Sequence, residues 1–242
     1  MMSISCSERL AGLCAVHLGR FEEAHAAFGW AAHWALKHLP AAIGLVYERR
    51  YRGPLLEVAL LSGDREFLAG AIEADAPATD EQMAPTRACY YRALDSLVKG
   101  DDEAARVAAI EARGIPEKRT IRDKFYPGVA EAILAILDRD AARLGRALDR
   151  VLERHRRSAT GRGYIANSPP GLMNQVAVCL ALLARQREIP FRVDARYHKV
   201  RLGFKAVYLE EFNGEPVRMK PFHLEADLLP LGFVESVRVR SG

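Results

Sequence analysis

Seven histidines are the residues in this chain best suited to bind a metal ion. Zinc sites on helices use ligands that share one face, such as two histidines four residues apart. His33 and His38 are five residues apart and point to different faces of a helix, and the chain has no HExxH or HxH motif. The spacing therefore predicts no metal centre, and we expect no cofactor.

Nucleophilic catalysis would need a serine or cysteine close to a base. The chain has no GxSxG motif, and its four cysteines lie in apolar segments that we predict to be helical (Cys6, Cys14, Cys89 and Cys179). Three pairs of adjacent carboxylates have no matching acid or base nearby in the sequence: Glu22-Glu23, Asp80-Glu81 and Glu210-Glu211. We therefore predict no catalytic residue and no enzymatic activity. An enzyme with a dispersed active site is the alternative.

Two segments could contact phosphate groups. Gly161-Arg162-Gly163 is glycine-rich, but it lacks the Gly-Lys-Ser/Thr ending and the preceding strand of a P-loop. An arginine-rich stretch runs from Arg150 to Arg162, with Tyr164 as its nearby stacking aromatic. Arginines near the C-terminus of a helix also complement the helix dipole. This stretch fits no recognised nucleic-acid module, so we predict no nucleic-acid partner.

Four short turns divide most of the chain into pairs of predicted helices. They are Gly19-Arg20, Gly63-Asp64, Gly100-Asp101 and Arg139-Asp140, and they are spaced by 44, 37 and 39 residues. Glycine after a helix adopts positive φ without a steric penalty, and the following aspartate can cap the next helix. The pattern predicts an all-α fold of stacked helical hairpins, similar to a tetratricopeptide-like (TPR-like) helical-repeat architecture.

Apolar residues recur at helical spacing between these turns. In the predicted helix Phe21–His38 they form a stripe (Phe21, Ala24, Phe28, Ala31 and Ala35), and in Ala141–His155 a second one (Leu144, Leu148, Val151 and Leu152). Trp30 and Trp34 lie on a neighbouring face of the first helix. They either pack against an adjacent hairpin or expose an aromatic anchor for a partner.

The pattern changes after His155. A loop with several glycines and prolines leads to a strongly apolar helix, Gly171–Gln186, which we expect to be buried on most sides. We predict one helical-hairpin domain over residues 1–190 and a mixed C-terminal extension, residues 191–242, packed on the same domain. Within this extension, Asp194–Tyr208 is a candidate helix and Phe233–Arg240 a candidate short strand.

Charge is distributed unevenly, although the net charge is only +4. The stretch from Asp64 to Glu103 contains ten acidic and four basic residues. The stretch from Ala141 to Gly163 contains seven arginines and two acidic residues. Such surfaces can steer charged partners. The longest apolar run, Val176–Ala184, is too short to span a bilayer, and no signal peptide is visible at the N-terminus. We therefore expect a cytoplasmic protein with no membrane partner.

The order of features in the second half resembles a known family. Phe125-Tyr126-Pro127 precedes an apolar helix and the turn Asp138-Arg139-Asp140, and an amphipathic helix then ends at Leu152-Glu153-Arg154-His155-Arg156. A loop with Tyr164 leads to Pro169-Pro170-Gly171 and the apolar helix containing Val178–Ala184. Over roughly residues 85–200 the chain resembles the immunity protein 49 family of bacterial polymorphic toxin systems.

This resemblance implies a non-enzymatic protein that binds and neutralises a cognate toxin. We predict that the toxin contacts two parts of the chain. One is the acidic segment, which runs from Asp64 to Glu103, at Asp75, Asp80 and Glu81. The other is the loop after His155, at Tyr164 and Asn167. The alternative is a TPR-like scaffold or regulator that binds a peptide or protein, because Gly19-Arg20-Phe21-Glu22-Glu23-Ala24 resembles the turn within such repeats.

Overall fold

A computed structural model describes residues 2–17, 20–38, 53–74, 79, 83–115, 126–159 and 174–192. In these residues the backbone forms nine α-helices and no β-strand. The helices are α1 (Met2–His17), α2 (Phe21–His38), α3 (Gly53–Ser62), α4 (Arg65–Glu73), α5 (Pro85–Lys99), α6 (Asp102–Gly114), α7 (Tyr126–Leu137), α8 (Ala141–Ala159) and α9 (Gln175–Gln186). The predicted all-α class is confirmed. The candidate helix and strand of the C-terminal extension, residues 194–208 and 233–240, lie outside the described residues.

The turns at Gly63-Asp64 and Gly100-Asp101 have the predicted mechanism. Gly63 and Gly100 adopt positive φ, at 68° and 77°. Asp64 then caps α4 by accepting hydrogen bonds from two backbone N–H groups, and Asp101 caps α6 through the N–H of Ala104 at 3.0 Å. Each turn therefore ends one helix and begins the next within two residues.

The turn between α7 and α8 works in the same way with a different residue. Arg139 occupies the left-handed conformation at φ 54°, where a non-glycine residue carries a steric cost. The Asp140 side chain accepts a hydrogen bond from the N–H of Arg143 at 2.9 Å and caps α8. The predicted cap at Asp140 is confirmed. The turn at Gly19-Arg20 lies only partly within the described residues.

Consecutive helices pack as hairpins: α1 with α2, α3 with α4, α5 with α6, and α7 with α8. Successive hairpins meet through α2 with α3 and through α6 with α7. Helix α9 then returns to pack on α3 as well as on α7 and α8. In a linear solenoid each repeat contacts only its neighbours. The contact between α9 and α3 makes this arrangement different from a simple TPR-like array.

The core lies along the predicted stripes. One cluster of buried apolar side chains draws members from all nine described helices. Ala24, Phe28 and Ala31 are buried in α2, and the four predicted core residues of α8 are buried as well. Helix α9 is buried along nearly its whole length, as predicted, but it begins at Gln175, because Asn174 is its extended N-cap, and the predicted start at Gly171 is wrong. Burial of these faces supplies most of the free energy that holds such short helices in place.

Ion pairs connect α6, α7 and α8 on the surface. Asp138 contacts Arg106 of α6 and Arg143 of α8, in both cases at 2.7 Å. Arg143 also contacts Glu131 of α7 at 2.7 Å, and this hydrogen bond lowers the pKa of the Glu131 carboxyl. Within the described ranges, none of the helices is both long enough and apolar enough to cross a membrane.

Candidate partner-binding groove

The five predicted contact residues cannot be placed. Asp75, Asp80, Glu81, Tyr164 and Asn167 all lie outside the described residues. Their role in binding a partner therefore stays a prediction.

Part of the acidic segment is used inside the fold. Asp64 and Asp101 cap helices, Asp95 pairs with Lys99 at 2.9 Å, and Asp102 pairs with Arg187 at 2.6 Å. Three further carboxylates of the segment are exposed: Glu66, Glu73 and Glu103. Several carboxylates of the segment thus have structural roles, and Asp64, Asp101 and Asp102 remain exposed while they serve them.

A groove of about 430 Å³ opens between α2 and the turn that joins α3 to α4. This is within the range of protein pockets that hold ligands, ~300–1,000 Å³. Its lining comes from two segments that are far apart in the sequence: His25, Ala26, Gly29, Trp30 and His33 from α2, and Ser62, Asp64 and Phe67 from the turn and α4. The groove therefore exists only because α2 packs beside this turn.

Trp30 is the most prominent apolar residue at the groove. Its surface is 55% exposed, whereas Trp34 is partly buried. Of the two alternatives that the sequence left open for this pair, the structure places Trp30 as an exposed aromatic side chain. Exposed tryptophans cost free energy in water and are enriched among the residues that dominate binding interfaces.

His33 organises the aromatic side chains around Trp30. The rings of His33 and Trp30 lie nearly perpendicular, with centroids 5.6 Å apart. His33 makes similar edge contacts with Trp34 at 5.7 Å and with Phe67 of α4 at 6.4 Å. Such edge-to-face contacts add to the free energy gained from burial. They fix the orientation of Trp30 relative to α4.

Gly29 allows α2 and α4 to approach closely beneath the groove. A Cβ atom at Gly29 would lie 3.2 Å from Cε2 of Phe67, which is closer than ordinary carbon contacts. One helical turn further along the interface, a Cβ atom at Gly70 would lie 3.3 Å from Leu36. Small residues at these two positions therefore set the distance between the helices and the width of the groove.

His25 contributes a polar wall. Its Nδ1 lies 2.7 Å from the carbonyl oxygen of Ser62, so the Nδ1–H group donates to that carbonyl. In the neutral tautomer that this bond selects, Nε2 is a hydrogen-bond acceptor. Nε2 is buried and has no partner among the described residues. The groove thus carries one unsatisfied acceptor beside its aromatic surface.

The one serine among the described residues that line the groove bonds to the backbone. The hydroxyl of Ser62 donates to the carbonyl of Ala59 at 2.7 Å, so it is not held by His25 as an activated nucleophile. Within the described part of the chain, no group of three or more His, Cys, Asp or Glu side chains is placed to hold a metal ion. The arrangement offers an aromatic surface, a carboxylate and an unsatisfied acceptor.

A second polar cluster lies deep in the core, around Glu57 of α3. Glu57 is only 3% exposed and accepts hydrogen bonds from the hydroxyls of Tyr90 at 3.1 Å and Tyr91 at 3.4 Å. Its charge is balanced by Arg9 of α1 at 3.8 Å, which also contacts Gln175 of α9. A buried carboxylate needs such partners. The cluster therefore joins α1, α3, α5 and α9 and belongs to the core.

Comparison with known proteins assigns the family. Residues 58–198, more than half of the chain, match the family described as Immunity protein 49. No curated protein and no solved structure matches the chain. The matched region includes the α3–α4 turn and α4, which form one wall of the groove, while α2 lies before it. The extent of the match shows that this chain belongs to the immunity protein 49 family.

Proposed function

We propose that the protein neutralises a cognate toxin by binding it in a stoichiometric complex. The observation that carries this proposal is membership of the immunity protein 49 family over residues 58–198. The family name refers to immunity, which in a toxin system requires that a toxin be blocked before it acts. The toxin is the partner, and the protein acts by occupying its surface without turnover.

The groove at Trp30 supports a binding role. The Trp30 side chain is 55% exposed and so can contact a partner, and tryptophan is enriched among the residues that dominate binding interfaces. The edge contacts with His33 and Phe67 hold the groove in a defined shape before binding. A preorganised surface loses less conformational entropy when a partner binds. The acidic segment at Asp75, Asp80 and Glu81 and the loop at Tyr164 and Asn167 stay proposed as further contacts.

Co-expression in bacteria tests this proposal. The product of each neighbouring gene is expressed alone and together with this protein, and growth is recorded. Under the proposal, one neighbouring product is toxic alone, growth is restored by co-expression, and the two proteins elute as one complex in size-exclusion chromatography. The proposal fails if no neighbouring product is toxic. It also fails if the protein restores growth without forming a complex.

A further inference from the structure

We propose that the groove beside Trp30 binds an arginine or lysine side chain of the toxin. The inference rests on the proposed function and specifies the chemistry that the immunity protein recognises. It follows from three features that converge on the groove: an exposed indole ring, a carboxylate and an unsatisfied nitrogen acceptor.

The aromatic surface suits a cation. A lysine or arginine within about 6 Å of an indole centroid is attracted by the electron density on the ring face, and tryptophan is the best such ring. The same helix already contains one example, because Nζ of Lys37 lies 5.0 Å from the ring centroid of Trp34. Trp30 is four residues away and more exposed. Its ring is available for a cation supplied by another molecule.

The charge of the lining also favours a cation. Asp64 is the acidic residue of the groove, and no lysine or arginine is among the described residues that line it. Both cap hydrogen bonds of Asp64 end on Oδ1, at 2.8 and 3.2 Å, so Oδ2 takes no part in the cap. The N-terminus of α4 contributes only about half a positive charge, which the carboxylate of Asp64 outweighs.

The polar atoms of the groove, the exposed carboxylate of Asp64 and the buried Nε2 of His25, favour a ligand that only donates hydrogen bonds. Oδ2 of Asp64 and Nε2 of His25 are both acceptors when the histidine is neutral. Lysine and arginine side chains carry donors and no acceptor, and arginine can donate to two atoms at once. A purely apolar side chain would cover the Asp64 carboxylate without replacing the hydrogen bonds of its water, which costs free energy. An anion would meet the carboxylate of Asp64.

A fluorescence titration with a defined peptide tests the groove directly. The chain has two tryptophans, so Trp34→Phe leaves Trp30 as the single tryptophan, which is excited selectively at wavelengths that tyrosine does not absorb. The probes are acetyl-Gly-Arg-Gly-amide and the same peptide with citrulline, a neutral isostere of arginine. We expect a saturable change in Trp30 emission with the arginine peptide and at least a threefold weaker response with citrulline. Equal responses, or no saturable response to either peptide, would overturn the proposal.

Asp64→Asn provides the matched variant. Asparagine caps helices about as well as aspartate, so α4 keeps its cap while the groove loses its charge. In the Trp34→Phe background, Asp64→Asn should weaken binding of the arginine peptide at least threefold and leave the citrulline peptide unaffected. Circular dichroism checks that the helix content is unchanged. Unchanged binding of the arginine peptide by a folded Asp64→Asn variant contradicts the role of the carboxylate.

The toxin complex separates failure of this inference from failure of the proposed function. Trp30→Ala should weaken the complex by about 30-fold, the scale of a dominant interface residue. Val107→Ala is the control, because Val107 is 57% exposed on α6, away from the groove, and its loss should change affinity by less than about twofold. If the wild-type protein protects and Trp30→Ala binds equally well, the groove proposal is wrong and the toxin-binding function stands.

Discussion

Arg187 and Asp102 form a two-point ion pair that joins parts of the chain separated by 85 residues. Nη2 of Arg187 lies 2.6 Å from Oδ1 of Asp102, and Nη1 lies 3.0 Å from Oδ2. The same guanidinium reaches the carbonyl of Leu97 at 3.4 Å. One side chain at the end of α9 therefore ties that helix to the turn between α5 and α6.

This pair should contribute measurably to stability. We expect Arg187→Ala to lower the free energy of unfolding by about 1 kcal/mol. A guanidinium that makes two bonds to a carboxylate and one to a carbonyl stabilises a fold more than a typical surface ion pair does. Urea denaturation measures the change. A double-mutant cycle with Asp102→Ala should give a coupling of about 0.5–1 kcal/mol, because Asp102 is more than half exposed and solvent screens the pair. If the stability losses of the two single variants simply add in the double variant, the ion pair contributes nothing.

The cap of α8 provides a second stability prediction. Asp140→Ala removes the acceptor of the Arg143 N–H group and should lower the free energy of unfolding by about 1 kcal/mol. Asp140→Asn keeps a capping side chain and should cost only a few tenths of that. Chemical denaturation of the two variants side by side provides the measurement. Equal losses for alanine and asparagine would mean that the cap hydrogen bond does not explain the role of Asp140.

The local features of this fold could be predicted from the sequence, and the groove could not. A turn such as Gly100-Asp101 is determined by residues that are adjacent in the sequence. The turns therefore predicted the helix boundaries to within a few residues. The groove combines α2 with a turn whose Ser62 lies 37 residues after His25, and nothing local in the sequence pairs them. The sequence indicated Trp30, as one of a tryptophan pair, and Asp64, as a helix cap, but it did not indicate that they lie in one groove.

Glu57 is a buried core residue that was not predicted from the sequence, although a signal existed. It is a lone carboxylate within Leu55–Leu61, a run that is otherwise apolar, in a helix with nearly every residue buried. A charge in such a run requires partners from other helices. The identity of those partners, Tyr90, Tyr91 and Arg9, depends on tertiary packing and could not be derived from the run.

The buried tyrosine beside Glu57 predicts a loss of stability at alkaline pH. Burial, followed by the charge of Glu57, raises the pKa of Tyr90 well above its ordinary value of 10.0. Because the folded-state pKa lies above the unfolded-state value, this contribution is complete below about pH 10 and is lost as the pH rises towards the folded-state pKa. The free energy of unfolding should therefore decline above about pH 10, by at most about 1.4 kcal/mol per pH unit from this group.

Tyr90→Phe tests the origin of that decline. At neutral pH the variant should be less stable by about 1–3 kcal/mol, because Glu57 loses a hydrogen-bond donor in the core. Between pH 9 and 11 its stability should fall less steeply than that of the wild type. Denaturation midpoints at several pH values give both slopes. Cys179, whose thiol pKa burial also raises, is present in both proteins and cancels in the comparison. Parallel slopes would contradict the assignment to Tyr90.

The predicted acidic contacts can be tested independently of the groove. Charge reversal at Asp75, Asp80 and Glu81 to lysine should weaken the toxin complex and make its affinity less dependent on salt, because long-range attraction would be lost. Association rates at low and high ionic strength provide the measurement. Reversal of Glu188, which is exposed and lies outside the acidic segment, is the control and gives the effect of one reversed charge elsewhere on the surface. An unchanged salt dependence in the triple variant would remove these residues from the contact surface.

The most direct test of the central claim is a titration of the purified toxin with this protein at a toxin concentration far above the dissociation constant. Stoichiometric binding predicts that residual toxin activity falls linearly and reaches its minimum at a fixed molar ratio set by the complex, with the immunity protein recovered unchanged. Complete loss of toxin activity at a small fraction of that ratio, with the toxin permanently altered, would mean that the protein acts by turnover and would contradict the account.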